Sequence, residues 1–400
     1  MASFRRVIVL GGGKASGKMA AELEHILGDR ISGGFVIVPE YQTPRPDCRR
    51  IKVHPASHPI PSKSGVAGVQ KMLELVGTPN KNDLMLCLIS GGGSALMSSP
   101  LESLTLSDVR SATDLLLKSG AEIGETNAVR KHITAISGGR LARALYPAAV
   151  LSLIISDVVG DPLDAIASGP TAPDPTTYIE AGAILRKYGL WSRVPAGVRE
   201  TISRGVAGEL AETPKAGSRV FRRVKNIVVG SNRISCLAAA KSLRRNGYTT
   251  LVLSTTMRGE AREMGRLFGG MLFEMAEYGL PVRPPGCIIA GGETTVTVHG
   301  PGLGGRNQEL VLSAALEVDG MKRALIASLG TDGIDGPTTA AGAVADGGLV
   351  RRAREGGVDA GAYLARNDSN SFFKKVGGLL MTGPTGTNVN DIMIAMAVPT

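Results

Sequence analysis

The sequence is poor in aromatic residues and in cysteine. Phe, Trp and Tyr make up 4% of its 400 residues, which disfavours an aromatic platform for stacking single-stranded nucleic acid. The cysteines are far apart and form no CxxC pair, so neither a disulfide scaffold nor a cysteine-built metal site is expected; they are Cys48, Cys87, Cys236 and Cys287. The five histidines include no HxH pair and no H-E-x-x-H zinc motif, and no G-x-S-x-G nucleophile elbow occurs. The sequence therefore gives no support for the common zinc and serine-hydrolase sites.

Long apolar runs and a concentrated basic patch are also missing. No run approaches the ~18 apolar residues of a membrane helix, and the first run, residues 7–10, is too short for a signal peptide. The net charge of +10 is spread over both halves of the chain, and the densest basic stretch, residues 215–225, has the character of a solvated linker. We therefore expect a cytoplasmic protein that binds neither membrane nor nucleic acid, while a monomer and a homodimer both stay open.

Glycine, in contrast, is abundant, with 53 residues. The glycines gather at the ends of short apolar runs, where the chain turns from a strand into a loop or a helix. Four such runs occupy residues 6–10, 33–38, 83–89 and 150–155. They are apolar throughout, as in strands covered on both faces, and helix-like segments separate them. This pattern predicts an α/β fold with a mostly parallel, Rossmann-like sheet.

A second series of strands follows in the other half of the chain. Its strands are expected at residues 226–229, 249–253, 287–290 and 324–328. A helix that is initiated by Ser231 and ends at Gly247 follows the first of them. Residues 294–298 and 392–398 resemble additional strands without an intervening helix, so the sheet of this half is predicted to be mixed.

The division between the halves is expected near residues 205–220, where the composition is typical of a linker. We therefore predict two three-layer α/β domains of similar size, over residues 1–210 and 211–400. In open sheets of this kind, ligands bind beyond the carboxyl ends of the strands. The glycine-rich turns at those ends are thus the candidate binding elements.

The first glycine-rich turn, GGGKASGK, matches two nucleotide-binding patterns incompletely. It contains GxxxxGK ending in Lys18, but Met19 replaces the Ser or Thr whose hydroxyl binds Mg²⁺ in a P-loop. The same turn approaches the dinucleotide pattern G-x-G-x-x-G but ends in Ser16, and no clean acid follows the second strand. Lys14 stands just after three glycines at a predicted helix start, where an exposed surface lysine is the alternative to a functional one.

The second glycine-rich turn is the stronger candidate for binding an anion. It comprises Ser90, Gly91, Gly92, Gly93 and Ser94, between a buried strand and a helix. Backbone N–H groups in such a turn can face a phosphate or a carboxylate without interference from a Cβ atom. A tight structural turn is the alternative interpretation.

Further candidates combine charge with a strand end. Asp157, in SDVVGD, is a candidate base or metal ligand. Arg306, in GGRNQEL, suits a bidentate grip on a carboxylate or phosphate. Asp332, close to Asp335, fits Mg²⁺ chelation as well as a turn-capping role. A last loop rich in glycine and threonine offers a second phosphate cradle; its residues are Gly383, Thr385, Gly386, Thr387 and Asn388.

Together these strings resemble the class II glycerate 2-kinases, whose C-terminal part is called the MOFRL domain. The shared strings are GGGKAS, LISGGGSAL, NAVRKH, SGGRLA, SDVVGDPLDAIASGPTAPDPTT, GSNR, AGGETTVTV, GGRNQEL, TDGIDGPTTAAGAVADG, NDS and TGPTGTNVND. They run from residue 11 to residue 391, so the resemblance covers essentially the whole chain.

The resemblance implies ATP-dependent phosphorylation of the 2-hydroxyl of D-glycerate, giving 2-phosphoglycerate and ADP, with Mg²⁺ or another divalent cation. It also implies an active site in the cleft between the two domains, with Lys14 and Arg306 as catalytic or substrate-binding residues. Asp157 corresponds to the family's aspartate in SDVVGD, and whether it orients the hydroxyl or holds the metal stays open. The alternative is an NAD(P)H-dependent hydroxypyruvate reductase, a name attached to relatives of this family, against which the incomplete dinucleotide pattern argues.

Overall fold

The computed structural model describes residues 4–42 and 45–398. The chain divides into two compact units, Met1–Val229 and Gly230–Thr400, which we call the N-terminal and the C-terminal unit. Each is built on one six-stranded sheet. Within the described ranges, no helix is both long enough and apolar enough to cross a membrane.

Six strands form the first sheet: β1 Arg6–Gly12, β2 Gly33–Pro39, β3 Ile51–Ala56, β4 Asp83–Ser90, β5 Ala149–Ile155 and β6 Val224–Gly230. Their order is β3-β2-β1-β4-β5-β6, and β1 to β5 run parallel. The strand order reverses between β1 and β4. This is the kind of switch point at which open α/β sheets bind ligands, beyond the carboxyl ends of the strands.

The helices of the N-terminal unit are α1 Ser16–Leu27, α2 Lys63–Val76, α3 Gly93–Leu96, α4 Leu106–Lys118, α5 Ile123–Ile133, α6 Arg140–Leu145, α7 Tyr178–Lys187 and α8 Ala196–Val206. α1 packs on one face of the sheet with Val7 and Val9, and α2 packs on the other face with Ile8 and Leu10. Successive residues of β1 are therefore buried on opposite faces, which explains why the strand lacks alternating polar positions. α4, α5, α7 and α8 share a separate helical core.

The second sheet is mixed, as the sequence predicts. Its strands are β7 Thr249–Met257, β8 Gly286–Gly292, β9 Ala324–Gly330, β10 Gly342–Asp346, β11 Leu379–Leu380 and β12 Asp391–Ala397. Their order is β11-β10-β9-β12-β8-β7. β7 and β8 run parallel, and the other neighbouring pairs run antiparallel. β12 thus lies between β8 and β9, which precede it in the chain by many residues.

The helices of the C-terminal unit are α9 Asn232–Arg245, α10 Ala261–Tyr278, α11 Arg306–Glu317, α12 Leu349–Glu355, α13 Ala360–Ala365 and α14 Ser369–Val376. α9 begins where the sequence predicts, because the Ser231 hydroxyl accepts a hydrogen bond from the N–H of Ile234. α10 and α11 belong to the main apolar core of the unit, whereas α9 packs with Cys287 and Ile289 in a smaller one. Both units are therefore of the α/β class.

Two strand expectations are corrected by the structure. Residues 294–298 form no strand, and Thr295 makes only an isolated bridge with Glu260. The physical reason is that β8, directly before this segment, already has β7 on one side and β12 on the other. Residues 226–229 are part of β6 and join the first sheet, since an apolar run does not specify which sheet it enters. The predicted domain limit at residue 210 stays a prediction.

Candidate active site

The glycine-rich turns after β1 and β4 pack against each other. A Cβ atom at Gly13 would lie 2.1 Å from the Ser90 Oγ, so only glycine allows the two turns to approach this closely. The buried Ser90 hydroxyl accepts a hydrogen bond from the Ala15 N–H at 3.0 Å. The Lys14 N–H donates to the carbonyl oxygen of Gly91 at 2.8 Å. Ser90 therefore helps to join two turns into one hydrogen-bonded pair.

The triple-glycine turn, Gly91 to Gly93, is shaped by the side chains around it. A Cβ atom at Gly91 would lie 1.8 Å from the Asp157 Oδ2, so this carboxylate rests directly on the glycine backbone. Gly92 has a φ of +80°, and a Cβ atom there would lie 2.8 Å from the His58 Nε2 and 3.4 Å from the Lys14 Cγ. Because β1, β4 and β5 are neighbours, the structure brings Lys14, the triple-glycine turn and Asp157 together at their carboxyl ends.

Lys14 carries the positive charge at this place. Its side chain is partly exposed, and no carboxylate of the described residues forms an ion pair with it. Burial and the nearby Lys14 charge lower the pKa of His58, so this imidazole is neutral at pH 7. Lys18, the lysine of the P-loop-like string, is instead exposed on α1. Lys14 is thus the lysine that lies beside the triple-glycine turn.

Gly93 and Ser94 contact a strained segment that follows β5. Ala167 and Ser168 have φ values of 51° and 59°, which are uncommon for residues with a side chain. A Cβ atom at Gly93 would lie 2.7 Å from the Ala167 Cβ, and the Ser94 and Ser168 hydroxyl oxygens are 2.7 Å apart. Backbone strain of this kind costs about 1–3 kcal/mol per residue and concentrates at functional sites. The contact with Ser168 fixes the position of Ser94. Sequence reasoning missed the strained segment at Ala167 and Ser168, because its positive φ values cannot be inferred from the sequence.

Lys131 and His132, from the string NAVRKH, belong to a buried cluster of paired charges. The Lys131 Nζ lies 3.0 Å from the Asp164 Oδ2 and 3.2 Å from the Asp174 Oδ1. The His132 Nε2 lies 2.9 Å from the Glu212 Oε1. Burial lowers the pKa of His132, so the ring is mainly neutral at pH 7. These side chains tie α5 to the loops around it.

In the C-terminal unit, Arg306 is held between two carboxylates. Its Nε and Nη2 donate to the buried Asp391 at 2.6 and 3.0 Å, and its Nη1 lies 3.0 Å from the Glu293 Oε1. Burial opposes the charge of Arg306, but the hydrogen bonds to Asp391 outweigh burial and raise its pKa. The sequence suggests that the guanidinium of Arg306 grips a substrate with two parallel N–H groups. In the structure Asp391 already accepts from these groups, so only the other N–H groups of Arg306 can bind a ligand.

The residues that follow Arg306 form a buried network around Asp335. The carboxylate of Asp335 accepts four hydrogen bonds at the start of α11, from the main-chain N–H groups and side-chain amides of Asn307 and Gln308. A Cβ atom at Gly305 would lie 2.3 Å from the Asp335 Cγ, which accounts for the glycine. Asp335 is thus a helix cap, in agreement with the turn-capping alternative for this acidic loop.

Asp332 and the loop of residues 383–388 come together in the C-terminal unit. The Thr385 N–H donates to the Asp332 main-chain oxygen at 3.1 Å. The Thr385 hydroxyl donates to the main-chain oxygen of Thr331 at 2.7 Å. The Asp332 carboxylate accepts a hydrogen bond from the Ile334 N–H at 3.1 Å, which is a turn-capping contact. Asp332 therefore supports the loop as well as carrying a charge.

The loop itself curls through two left-handed glycines. Gly383 and Gly386 have φ values of 68° and 77°, as a backbone cradle for an anion requires. The N–H of Thr387 points to the Thr385 hydroxyl at 3.4 Å. The Asn388 side-chain oxygen accepts from the Asn390 N–H at 2.9 Å. These contacts hold the loop in shape and already engage the N–H groups of Thr385 and Thr387.

The sequence-based site residues thus fall into two groups, one in each unit. The N-terminal group is Lys14, the triple-glycine turn and Asp157. The C-terminal group is Arg306, Asp332 and the 383–388 loop. Gly330 links the acids of the second group, because a Cβ atom there would lie 3.1 Å from the Asp332 Oδ1 and 3.5 Å from the Asp391 Oδ1. Asp391, the partner of Arg306, is a functional residue that the sequence does not predict, although TGPTGTNVND ends on it.

The described residues offer no complete metal cage. Among them, no group of three His, Cys, Asp or Glu side chains could hold a metal ion. Mg²⁺ in nucleotide-dependent enzymes takes only one or two protein carboxylates together with phosphate oxygens. Single carboxylates such as Asp157 or Asp332 therefore fit a Mg²⁺ ion that arrives with a nucleotide, and they do not fit one that the protein binds alone.

Two protein families and several known proteins match the chain. Residues 1–203 match a family described as a domain of unknown function, DUF4147, and residues 286–391 match the MOFRL family. A glycerate 2-kinase from Pyrococcus horikoshii is 46% identical over 392 residues, which are 98% of this chain and 87% of that protein. A putative hydroxypyruvate reductase from Agrobacterium vitis is 42% identical over 389 residues, or 97% of this chain and 86% of that protein.

The fold also matches a solved structure. The crystal structure of glycerate kinase from Thermotoga maritima aligns with a TM-score of 0.92 and 40% identity, over 99% of this chain and 92% of that chain. Identity of this level over nearly the whole length confirms the resemblance that the motifs indicate. The chain belongs to the glycerate 2-kinase family, and its C-terminal unit carries the MOFRL region.

Proposed function

We propose that this chain is an ATP-dependent kinase that phosphorylates the 2-hydroxyl group of D-glycerate. In this reaction the bond between the γ-phosphorus and the oxygen bridging it to the β-phosphate breaks. A bond forms between the glycerate O2 and the γ-phosphorus, and the hydroxyl proton is released. The products are 2-phosphoglycerate and ADP. Membership of the family and the 46% sequence identity with the glycerate 2-kinase from Pyrococcus horikoshii support this reaction.

The observation that carries the proposal is the grouping of Lys14, Gly91 and Asp157 beyond three neighbouring strands. Phosphoryl transfer needs positive charge on the phosphoryl oxygens and a group that orients the attacking hydroxyl. Lys14 supplies an ammonium group that no carboxylate of the described residues neutralises. Asp157 supplies a carboxylate against Gly91 of the same turn. The missing Cβ atom of Gly91 is what lets this carboxylate lie so close to the turn.

In the proposed site, each N-terminal group has one task. Lys14 stabilises the charge that spreads over the equatorial phosphoryl oxygens, as a preorganised cation does in a water-poor site. The main-chain N–H groups of the triple-glycine turn bind the phosphate oxygens. Asp157 either accepts a hydrogen bond from the 2-hydroxyl and takes its proton, or holds Mg²⁺. A bound Mg²⁺ would neutralise part of the charge on the phosphates of ATP.

The C-terminal group takes the nucleotide phosphates in this proposal. The 383–388 loop has the left-handed glycines of a backbone cradle, and Asp332 supports it through the Thr385 N–H. Arg306, in the same unit, has its bidentate edge on Asp391. We infer that Arg306 contributes through its outer N–H groups and by fixing the position of Asp391.

The hydroxypyruvate reductase alternative has less support. A dinucleotide site uses its glycines so that the backbone can approach a pyrophosphate. Here the glycines of the corresponding turn are required by protein contacts instead. A Cβ atom at Gly11 would lie 2.0 Å from the Leu88 carbonyl oxygen, and one at Gly13 would lie 2.1 Å from the Ser90 Oγ.

The test is an assay of the purified chain with ATP, Mg²⁺ and D-glycerate. Coupling to enolase detects 2-phosphoglycerate directly, because 3-phosphoglycerate is not a substrate of that enzyme. We expect signal only when all three reactants are present. Formation of 3-phosphoglycerate alone would contradict the proposed regiochemistry, and oxidation of NADH by hydroxypyruvate in place of kinase activity would favour the alternative.

A further inference from the structure

One side chain of α5 departs from the burial of its neighbours. Residues 126–129 and 131–133 are all buried, whereas Arg130 in their middle is partly exposed. Arg130 is thus the one residue between 126 and 133 that is not buried.

The charge of Arg130 has no acidic partner. No carboxylate of the described residues forms an ion pair with its guanidinium, whereas the adjacent Lys131 is paired with both Asp164 and Asp174. Burial lowers the pKa of Arg130 to about 10, and the side chain stays charged at pH 7. A partly desolvated cation without a counter-ion attracts an anion strongly, because water screens it poorly.

A second, independent observation points to the same place. Thr126 is fully buried, and its hydroxyl has no hydrogen-bond partner in the described structure. Buried polar groups are nearly always hydrogen-bonded, so an orphaned hydroxyl calls for a ligand. Thr126 lies four residues before Arg130, on the same face of the helix. Helical side chains lean towards the helix N-terminus, which carries the Arg130 side chain over Thr126.

Hydrogen bonds of Asn127 connect this segment of α5 to the candidate active site. Asn127 accepts a hydrogen bond from the Ser168 hydroxyl at 3.3 Å. The Ser168 hydroxyl oxygen in turn lies 2.7 Å from that of Ser94, at the end of the triple-glycine turn. The face of α5 that carries Asn127 and Arg130 is therefore directed towards the place where the phosphoryl group would lie.

We propose that Arg130 and Thr126 bind the carboxylate of the three-carbon substrate. Arg130 would donate two parallel N–H bonds to the carboxylate, and the Thr126 hydroxyl would donate a third. This assignment rests on the proposed kinase function and deepens it, because it names the residues that select a 2-hydroxy acid over an uncharged diol. Lys14 and the triple-glycine turn remain with the phosphoryl group.

The test compares the KM values for the two substrates in Arg130→Gln and Arg130→Lys. Loss of a charge-assisted contact corresponds to a change of about 10- to 100-fold. We expect that increase in the KM for D-glycerate in Arg130→Gln, with the KM for ATP changed by less than about threefold. Arg130→Lys keeps the positive charge but loses the two parallel N–H groups of the guanidinium. Its KM for glycerate should therefore lie between those of the unmodified chain and Arg130→Gln. An increase confined to the KM for ATP would assign Arg130 to a phosphate and overturn the proposal.

An uncharged analogue makes the same test without relying on stability. Glyceramide has the hydroxyls of glycerate but an amide in place of the carboxylate. The unmodified chain should bind glycerate far better than glyceramide, and Arg130→Gln should lose most of that preference. Arg143→Gln is the control, since Arg143 is an arginine of the same unit that is exposed and donates to the main-chain oxygen of Glu212. Its preference should be unchanged.

Thr126→Val separates a ligand contact from a packing role. If the hydroxyl only fills space, its replacement by a methyl group should raise stability slightly and leave the KM for glycerate unchanged, and that result would remove Thr126 from the site. We expect instead a several-fold increase in the KM for glycerate.

If the unmodified chain does not phosphorylate glycerate, the proposed function fails on its own. Calorimetric titration of glycerate into Arg130→Gln and the unmodified chain then decides the Arg130 assignment, and equal affinities would refute it.

Discussion

The cations of the two units stand in opposite electrostatic surroundings. Lys14 and Arg130 of the N-terminal unit have no acidic partner among the described residues, whereas Arg306 of the C-terminal unit is paired with Asp391 and Glu293. An unpaired cation attracts an anion, while a cation between two carboxylates mainly holds those carboxylates in place. We therefore expect Lys14 and Arg306, which the sequence presents as equivalents, to have different primary tasks.

The largest effect on stability is expected at Arg306. Arg306→Met leaves the fully buried Asp391 without its counter-ion, which should lower the free energy of unfolding by about 3–5 kcal/mol. Urea unfolding followed by far-UV circular dichroism measures it. Arg352→Met is the control, because the Arg352–Asp346 pair is about half exposed and should contribute less than about 1 kcal/mol. Equal stabilities of the two variants would show that the ion pair between Arg306 and Asp391 contributes no more to stability than an exposed pair does.

Lys14 is expected to show the reverse pattern, with a large effect on turnover and a small one on stability. Lys14→Met keeps the aliphatic stem and removes the ammonium group. Losing one preorganised charge contact of this kind should raise the activation free energy by about 3 kcal/mol, or lower kcat by ~10²-fold or more. Steady-state kinetics of ADP formation measures it, with Lys18→Met as the control. An active Lys14→Met beside an inactive Lys18→Met would restore the P-loop interpretation.

A third variant tests whether Asp157 belongs with Lys14. Gly91→Ala places a methyl group where the Asp157 carboxylate now lies, so the carboxylate must move away from the turn. We expect a loss of about 1–3 kcal/mol in the free energy of unfolding and a fall in kcat similar to that of Asp157→Asn. Gly124→Ala is the control, since nothing lies within 4 Å of a Cβ atom there. Unchanged turnover in Gly91→Ala would remove Asp157 from the site.

The smallest expected effect is a change in a pKa. Burial and the Lys14 charge lower the pKa of His58 from its usual 6.5. The folded protein therefore binds fewer protons here than the unfolded chain, and the associated stability is complete above pH 6.5 and is lost as the pH falls below it. Lys14→Met removes one cause, so the pKa of His58 should rise. NMR titration of the imidazole measures the pKa, and an unchanged value would show that the ammonium group lies elsewhere.

The sequence predicts β1, β2, β4 and β5 of the N-terminal sheet together with its glycine-rich turns, for a physical reason, whereas it misses β3 and assigns the run of β6 to the other half. Strands buried on both faces are apolar at every position, and a glycine must follow wherever two backbones cross, as at Gly13 and Ser90. Both signals are local in the chain. The partner of Arg306 is different, because Asp391 comes from a strand 85 residues away and no local pattern pairs the two. The false strand at 294–298 has the same origin, since only the sheet order reveals that β8 has no free edge.

Arg130, the residue of our proposal, shows the same limit. NAVRKH presents three basic residues in a row, and nothing in the string distinguishes them. The structure pairs Lys131 with Asp164 and Asp174 and His132 with Glu212, which leaves Arg130. The distinction depends on acids located 33 or more residues further along the chain, so composition and spacing could not supply it.

The position of β12 has a consequence for the order in which the molecule is made. β8 and β9 have no contact as neighbouring strands, because β12 fills the place between them. During translation, β8, α11 and β9 are therefore synthesised well before β12, the strand that pairs with both β8 and β9. A nascent chain that has reached residue 380 exposes one open edge on β8 and another on β9. Unpaired edges attract other chains, so we expect this half of the molecule to be the more prone to aggregation during translation, whereas β1 to β5 can already pair.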